Sequence, residues 1–240
     1  MKQKTQIMDA TAIARAMARI THEIIERNQG AQNICLLGVR RRGIPLAAML
    51  AANIKKFEGI DVPLGYLDIT KHRDDIPKHE KQEIVAECHF PCDIRDKTVI
   101  VVDDVLYTGR TARAALETVF AFDRPQAVQL AVLVDRGHRE LPIRPDYIGK
   151  NVPTARSEIV AVRLEEVDGN NGVYIFIKKV SQYGKVRERV IKSAVKSAYY
   201  HYLLRSVLNC GVYRYVSIGN VLLGGKLNSL YSAWNILFAE

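Results

Sequence analysis

Residues 99–116 read VIVVDDVLYTGRTARAAL: an apolar run closes on two adjacent carboxylates, Asp103 and Asp104, and a small-residue turn and an alanine-rich stretch follow. The turn offers backbone N–H groups freed by Gly109, together with the hydroxyls of Thr108 and Thr111. It precedes a predicted helix N-terminus, where the peptide dipoles favour an anion. A single phosphate suits that cradle. Two carboxylates beside it would repel the same group, so they must face another part of the ligand: a pair of hydroxyls that donate to them, or a Mg²⁺ held through water. A ribose 5-phosphate carries both features, with its phosphate in the turn and its 2- and 3-hydroxyls reaching back to the acids. No G-x-x-x-x-G-K-[ST] occurs and no G-x-G-x-x-G follows a strand, which excludes two other phosphate-binding loops. The bland alternative is a strand, turn and helix with acids at a solvated sheet end; two Thr, a Gly and two Asp at these spacings disfavour it.

Such a site needs a strand that ends at the acids and a helix that starts after the turn. KTVIVVDD reads as that strand and GRTARAALETVFAF as that helix. Upstream, Asp9 opens a helical pattern with Ile13, Met17, Ile20 and Ile24 on one face, ending near Asn28-Gln29-Gly30. Arg15, Arg19, His22, Glu23, Glu26 and Arg27 occupy the opposite face. NICLLGV (33–39), the basic turn RRRG and a helix from Pro45 through Ile54 form a second strand, loop and helix; VPLGYLDI (62–69) and AVQLAVLVD are further strands. Strands that are almost wholly apolar and alternate with helices demand a parallel sheet covered on both faces. The predicted fold class is therefore α/β, an open, twisted, mostly parallel sheet with helices on both faces. PDYIG, EIVAVRLEE and GVYIFI are expected to add short edge strands. A long polar stretch without pattern runs from about Asp68 to Pro91, and such a loop inside a compact domain is either functional or disordered.

The formal charge of +9 is unevenly spread. Residues 181–240 hold eight Lys/Arg against two acids, and residues 1–180 hold 27 against 24, a net of only +3. Domains are expected at 1–179 and 180–240. In the second, Val186, Val190, Ala194, Ala198, Tyr202 and others form an apolar helical stripe with Arg187, Lys192, Lys196 and Arg205 off it. Four cysteines without an apolar leader suggest a reduced, cytoplasmic protein. Cys88 and Cys92, with His79 and His89 nearby, have the makings of a zinc site, but two free thiols flanking a turn at Pro91 is the favoured reading. No apolar run has the length of a membrane-spanning helix.

VDDVLYTGRT resembles the phosphoribosyl pyrophosphate motif of the type I phosphoribosyltransferases. DIT followed by RDD, and above all QLAVLVDRGHRELPI with DYIGKNVPT, make residues 1 to about 177 similar to the pyrimidine-operon attenuation regulators that carry uracil phosphoribosyltransferase activity. The resemblance implies that Asp103 and Asp104 hold the ribose hydroxyls, and that the segment continuing through Val105, Leu106, Tyr107, Thr108, Gly109, Arg110 and Thr111 binds the rest of the sugar phosphate. The loop Arg40, Arg41, Arg42 and Gly43 takes the pyrophosphate, with Arg41 and Arg42 among the catalytic groups alongside the two acids. A polyanionic leaving group suits guanidinium forks and close backbone approach. Mg²⁺ accompanies the substrate near Asp103 and Asp104, with no direct protein site implied. Uracil lies near Asp135, Arg136 and Gly137, against an apolar wall at Val160. In the implied reaction N1 of uracil attacks the anomeric carbon as pyrophosphate leaves, giving UMP. Catalysis then rests on positioning and on stabilising the departing oxygens. The polar stretch becomes a lid over the site that offers Arg73 to the pyrophosphate.

The same resemblance implies binding of the pyrimidine operon leader mRNA, sensitive to UMP and UTP, through Arg19, His22 and Arg27 on the first helix and Arg139, Arg144, Lys150 and Arg156 after the fourth main strand. A homodimer or higher homo-oligomer is also implied. Two alternatives stay open: a phosphoribosyltransferase alone, acting on uracil or on a purine base such as hypoxanthine or guanine, and a non-catalytic nucleotide-sensing RNA-binding protein.

Overall fold

The computed structural model of the protein describes residues 2–74 and 87–177. All of them belong to the first of the two units into which the chain divides, Met1–Lys179. The elements are β1 (Lys2–Met8), α1 (Ala10–Arg27), β2 (Ile34–Val39), α2 (Gly43–Glu58), β3 (Leu64–Leu67), a 3₁₀ turn (Thr70–His72), β4 (Thr98–Leu106), α3 (Arg110–Phe122), β5 (Ala127–Asp135), β6 (Tyr147–Asn151), β7 (Glu158–Arg163), a short α4 (Glu165–Asp168) and β8 (Gly172–Ile177).

Five strands form the main sheet in the order β3-β2-β4-β5-β6, and every neighbouring pair runs parallel. Alternation along the strands sorts the core into two layers. Ile34, Leu36, Ile100, Val102, Ala131 and Leu133 face Met17, Ile20, Ile24, Leu46 and Leu50 of α1 and α2. Cys35, Leu37, Val99, Val101 and Val132 face Ala112, Ala115 and Val119 of α3. The α/β expectation holds because strands buried on both faces have no polar positions to spare.

Element ends follow local chemistry. Asp9 caps α1 by accepting from the Ala12 N–H at 2.7 Å, and a side-chain acceptor there satisfies one of the helix's orphan donors. α2 starts two residues before Pro45 and runs on to Glu58. β4 extends past the two acids to Leu106. Across the sheet, Asn28, Gln129 and Tyr147 form a closed polar network: the Tyr147 hydroxyl donates to Gln129 Oε1 at 2.7 Å, and the two amides exchange bonds at 3.1 Å. Tyr147→Phe is expected to lower stability by about 1 kcal/mol in urea unfolding, since a buried amide loses a donor.

One expectation needs correction. Of the three short segments read as edge strands, only β6 joins the main sheet. β7 and β8 pair with each other and with β1 in a separate antiparallel sheet of order β1-β8-β7. β1 was not foreseen at all; its sequence KQKTQIM carries one large apolar pair at its end and otherwise reads as a polar leader. Val160, Val162, Val173 and Ile175 of this small sheet pack into the α1 and α2 layer of the core. The zinc possibility finds no support among the described residues, which hold no group of three metal-ligating side chains; Cys88 and Cys92 are free thiols. His79, the centre of the polar stretch and the stripe beyond residue 180 lie outside the described residues.

Candidate active site

In an open α/β sheet the binding crevice forms where neighbouring strands send their following loops in opposite directions. Here that place lies between β2 and β4: from β2 the chain continues to β3 on one side, and from β4 it continues to β5 on the other. The basic turn after β2 and the acids and turn of β4 therefore meet across one gap. A cavity of about 530 Å³ opens there, lined by Val39, Arg40, Arg41, Arg42, Asp68, Ile69, Thr70, Arg73, Asp103, Asp104, Val105 and Thr111. A smaller one of about 210 Å³ adjoins it, lined by Arg73, Asp74, Thr108, Arg110 and Thr111.

The acids are held by their own backbone. Asp103 Oδ1 accepts from the Asp104 N–H and Asp104 Oδ1 from the Val105 N–H, both at 2.9 Å. Asp103 is only 8% exposed. Burial, reinforced by the neighbouring Asp104 carboxylate, pushes its carboxyl well above the usual carboxylate range. Burial also raises Asp104, against the pull of the Arg42 guanidinium. A buried and a half-buried acid, neither of them in an ion pair among the described residues, suit a polyol or a hard cation that arrives with its ligand.

The turn after β4 is shaped by Gly109, whose φ of +94° belongs to the left-handed region and which caps α3. Its other wall is the segment after β5: Glu140 and Leu141 N–H donate to the Thr108 carbonyl at 2.9 and 3.1 Å, and the Arg139 guanidinium donates to the Tyr107 carbonyl at 2.7 Å. With its carbonyls occupied there, the turn leaves the opening of α3 to an anion. Arg110 pairs with Glu140 at 2.7 Å and with Asp74.

On the basic turn the Arg40–Arg41 peptide is cis. Gly43 sits so close to β4 that a Cβ would lie 2.3 Å from the Val102 carbonyl oxygen. Arg40 pairs with Asp68 at 2.7 Å. Burial opposes ionisation of Asp68, yet the hydrogen bonds from Thr70 and Arg40 outweigh it and leave the carboxyl below its ordinary value. Arg42 forms a two-point pair with Asp168, Nε to Oδ2 at 3.0 Å and Nη2 to Oδ1 at 2.7 Å. Oxygen donors dominate the cavity, and no group of three metal ligands occurs among the described residues. That set fits Mg²⁺, which binds through one or two carboxylates and fills its remaining positions with water and substrate phosphates.

Comparison with known proteins bears directly on this arrangement. The family model for the phosphoribosyl transferase domain matches residues 3–167. The bifunctional protein PyrR of Deinococcus radiodurans is 56% identical over 173 residues, 72% of this chain and 94% of that protein. Its counterpart in Clostridioides difficile is 53% identical over 175 residues, 73% of this chain and 99% of that protein. The chain belongs to the bifunctional PyrR family of phosphoribosyl transferases. At the level of fold, a hypoxanthine-guanine phosphoribosyltransferase from Bacillus anthracis superposes with a TM-score of 0.55 at 18% identity, covering 74% of this chain and 100% of that one. A Trypanosoma cruzi hypoxanthine phosphoribosyl transferase gives 0.58 at 15% identity, covering 78% and 97%.

Within this PyrR-family fold the remaining expected residues fall in three places. Arg40, Arg41, Arg42, Asp103, Asp104, Val105, Thr111 and Arg73 share the large cavity, and Thr108 and Arg110 line its neighbour. Near the expected base position, Arg136 points inward. It is 6% exposed, donates to Thr154 Oγ1 at 3.1 Å and the Glu158 carbonyl at 2.8 Å, and lies 4.1 Å from the centre of the Tyr107 ring. Gly137 N–H donates to Asp135 Oδ1 at 2.9 Å, and Val160 is buried in the core.

The basic positions read as an RNA face divide. Arg19, Arg27 and Lys150 sit on adjoining α1 and β6: Arg19 donates to the Ile148 and Gly149 carbonyls at 2.8 and 2.7 Å, Arg27 pairs with Asp146 at 2.7 Å and Lys150 donates to the Ile7 carbonyl at 3.2 Å. Each stays well exposed; His22 stacks on Phe57 at 4.3 Å, and Arg144 and Arg156 are exposed. Arg139 is different, because its guanidinium is spent inside the protein on Asp135 at 2.5 Å and on the Tyr107 and Ile143 carbonyls. Sequence reasoning put Asp68, Ile69 and Thr70 at the start of a lid rather than in the cavity wall, and missed Asp168 as the partner of Arg42. A carboxylate directly after an apolar strand was the readable signal for Asp68; for Asp168 there was none.

Proposed function

We propose that this chain transfers the 5-phosphoribosyl group from phosphoribosyl pyrophosphate to N1 of uracil, giving UMP and pyrophosphate, and that the same domain binds the pyrimidine operon leader mRNA in response to UMP and UTP. The observation that carries the enzymatic reading is a pair of adjoining cavities in which the paired acids and hydroxyl-lined turn of β4 meet the three consecutive arginines that follow β2. Only a ligand with hydroxyls at one side and anionic groups at two others uses all three. Asp103 and Asp104 accept from the ribose 2- and 3-hydroxyls; Thr108 to Thr111 hold the 5-phosphate; Arg40 to Arg42, with Arg73, meet the departing pyrophosphate. The C1–O bond breaks as C1–N1 forms, and the N1 proton is lost. Mg²⁺, held by the substrate with Asp103 and Asp104 nearby, neutralises part of the leaving-group charge when bound.

The test is UMP formation from uracil and phosphoribosyl pyrophosphate with Mg²⁺, with hypoxanthine and guanine as alternative acceptors. Turnover with uracil supports the reading, turnover with purines alone makes this a purine enzyme, and no turnover with any base removes catalysis.

Support for the RNA function comes from the adjoining, exposed Arg19, Arg27 and Lys150, with Arg144 and Arg156. Phosphate contacts of this kind make affinity salt-dependent, while splayed loop bases supply specificity. In gel shifts with the leader RNA, UMP is expected to strengthen binding, and raising salt from about 50 to 200 mM to weaken it on the order of tenfold or more. Equal displacement by an unrelated RNA, or indifference to UMP, would remove the regulator. Residues 180–240 are read as an extension appended to this domain, and the protein as a cytoplasmic homo-oligomer; no helix among the described residues is long and apolar enough to cross a membrane.

A further inference from the structure

Arg42, which lines the cavity from the start of α2, pairs with Asp168, the last residue of α4 in the β7–β8 connection. The pair ties the basic turn of the main sheet to the β7–β8 connection of the small antiparallel sheet, and neither Asp168 nor a strand of that sheet lines the cavity itself. Its geometry is two-point, and the carboxylate is itself anchored: Asp168 Oδ2 accepts from the Leu164 N–H at 3.1 Å, and its own N–H donates to the Leu164 carbonyl at 2.7 Å. A guanidinium has five N–H donors in one plane. The bond to Asp168 uses Nε and Nη2, so it fixes both the plane and the direction of the unused edge, while Arg42 also lines the cavity beside Asp104.

We infer that Asp168 is a positioning residue for the transfer, holding the free edge of Arg42 toward the departing pyrophosphate. The inference rests on the phosphoribosyl transfer proposed above. Without Asp168 the side chain is free to turn to Asp104, the other carboxylate beside it, where it would neutralise an acid meant for the sugar and leave the pyrophosphate. Binding of both phosphoribosyl pyrophosphate and free pyrophosphate then suffers, whereas the base, which never meets Arg42, does not.

Asp168→Asn keeps the shape and sets an amide donor against a guanidinium donor; Asp168→Glu keeps the charge. In the full-length chain, Asp168→Asn is expected to raise KM for phosphoribosyl pyrophosphate, and the Kd for Mg-pyrophosphate in calorimetry, by roughly tenfold, since small misplacements of an oriented group are costly. KM for uracil should stay near the parent's and the thermal midpoint should fall by only a few degrees, as expected for one partly exposed ion pair, and Asp168→Glu should recover part of the loss. A parent that turns over, with Asp168→Asn unchanged in both pyrophosphate measurements, overturns the inference and leaves the reaction standing. So does a fall in all parameters together with the midpoint, which marks a structural role only. A parent that neither makes UMP nor binds Mg-pyrophosphate overturns both.

Discussion

Replacing Asp103 and Asp104 together by Asn is expected to cut UMP formation by about a hundredfold to a thousandfold and to make the protein progressively more stable, relative to the parent, as pH rises. The first effect follows from the acids' position: they are the only carboxylates on β4, and amides neither attract Mg²⁺ nor accept as strongly from the ribose hydroxyls. The second follows from burial. Asp103 is raised well above its ordinary value by desolvation and by Asp104, and Asp104 is raised too. A carboxylate whose folded value lies above its unfolded one favours folding while protonated, and that contribution is lost as pH rises from the ordinary carboxylate range through the raised one. Above that window the parent carries a cost that the amides do not. Asp68, Asp74 and Asp168, whose values are lowered, tilt stability the opposite way in acid, but they are common to both proteins and cancel in the difference. Urea unfolding of parent and variant at several pH values between about 4 and 8 checks this. An advantage for the variant that shrinks as pH rises would contradict it, and undiminished UMP formation would remove the acids from the reaction.

Gly43→Ala is expected to disable the site with a single methyl. The added Cβ would lie 2.3 Å from the Val102 carbonyl oxygen, a backbone atom of β4 that cannot swing away. Overpacking of this kind costs about 1–3 kcal/mol, and better helix propensity returns at most ~1 kcal/mol at an interior position, less at a first helical residue. Relief requires the basic turn to move off β4, which takes Arg40, Arg41 and Arg42 away from Asp103; a displacement near 1 Å is worth on the order of a hundredfold in rate. Gly59→Ala is the control. Gly59 ends α2 with φ +72° and open space around it, so its variant loses roughly 1–2 kcal/mol to left-handed strain with kinetics intact. If Gly43→Ala behaves like Gly59→Ala, the close approach of turn and strand is not what builds the site.

Much of this molecule was written in local pattern. β2, β4 and β5 are near-continuous apolar runs because both their faces are covered, and Ile13, Met17, Ile20 and Ile24 at helical spacing make up the buried face of α1. Asp103, Asp104, Thr108, Gly109 and Thr111 were legible as a candidate sugar-phosphate site because each residue type has a chemical reason to stand beside the next. Arg40 to Arg42 were legible as basic, and their place opposite the acids follows from parallel strands whose loops leave at the same sheet end.

What the tertiary structure alone decided has one physical cause: partners far apart in the chain carry no shared local period. β1 pairs with β8 across most of the domain, so neither segment shows that it belongs to a second sheet, and β7 and β8 look like ordinary edge strands. Asp68 enters the cavity only because β3 lies beside β2, and Asp168 meets Arg42 only because the small sheet packs on the same core. From the sequence Arg139 looks like a surface cation and Arg136 like a neighbour of the base, yet their guanidinium groups are turned inward to carbonyls and to Asp135. Residue type tells what a side chain can bond; which bonds it makes depends on the packing that brings distant backbone within reach.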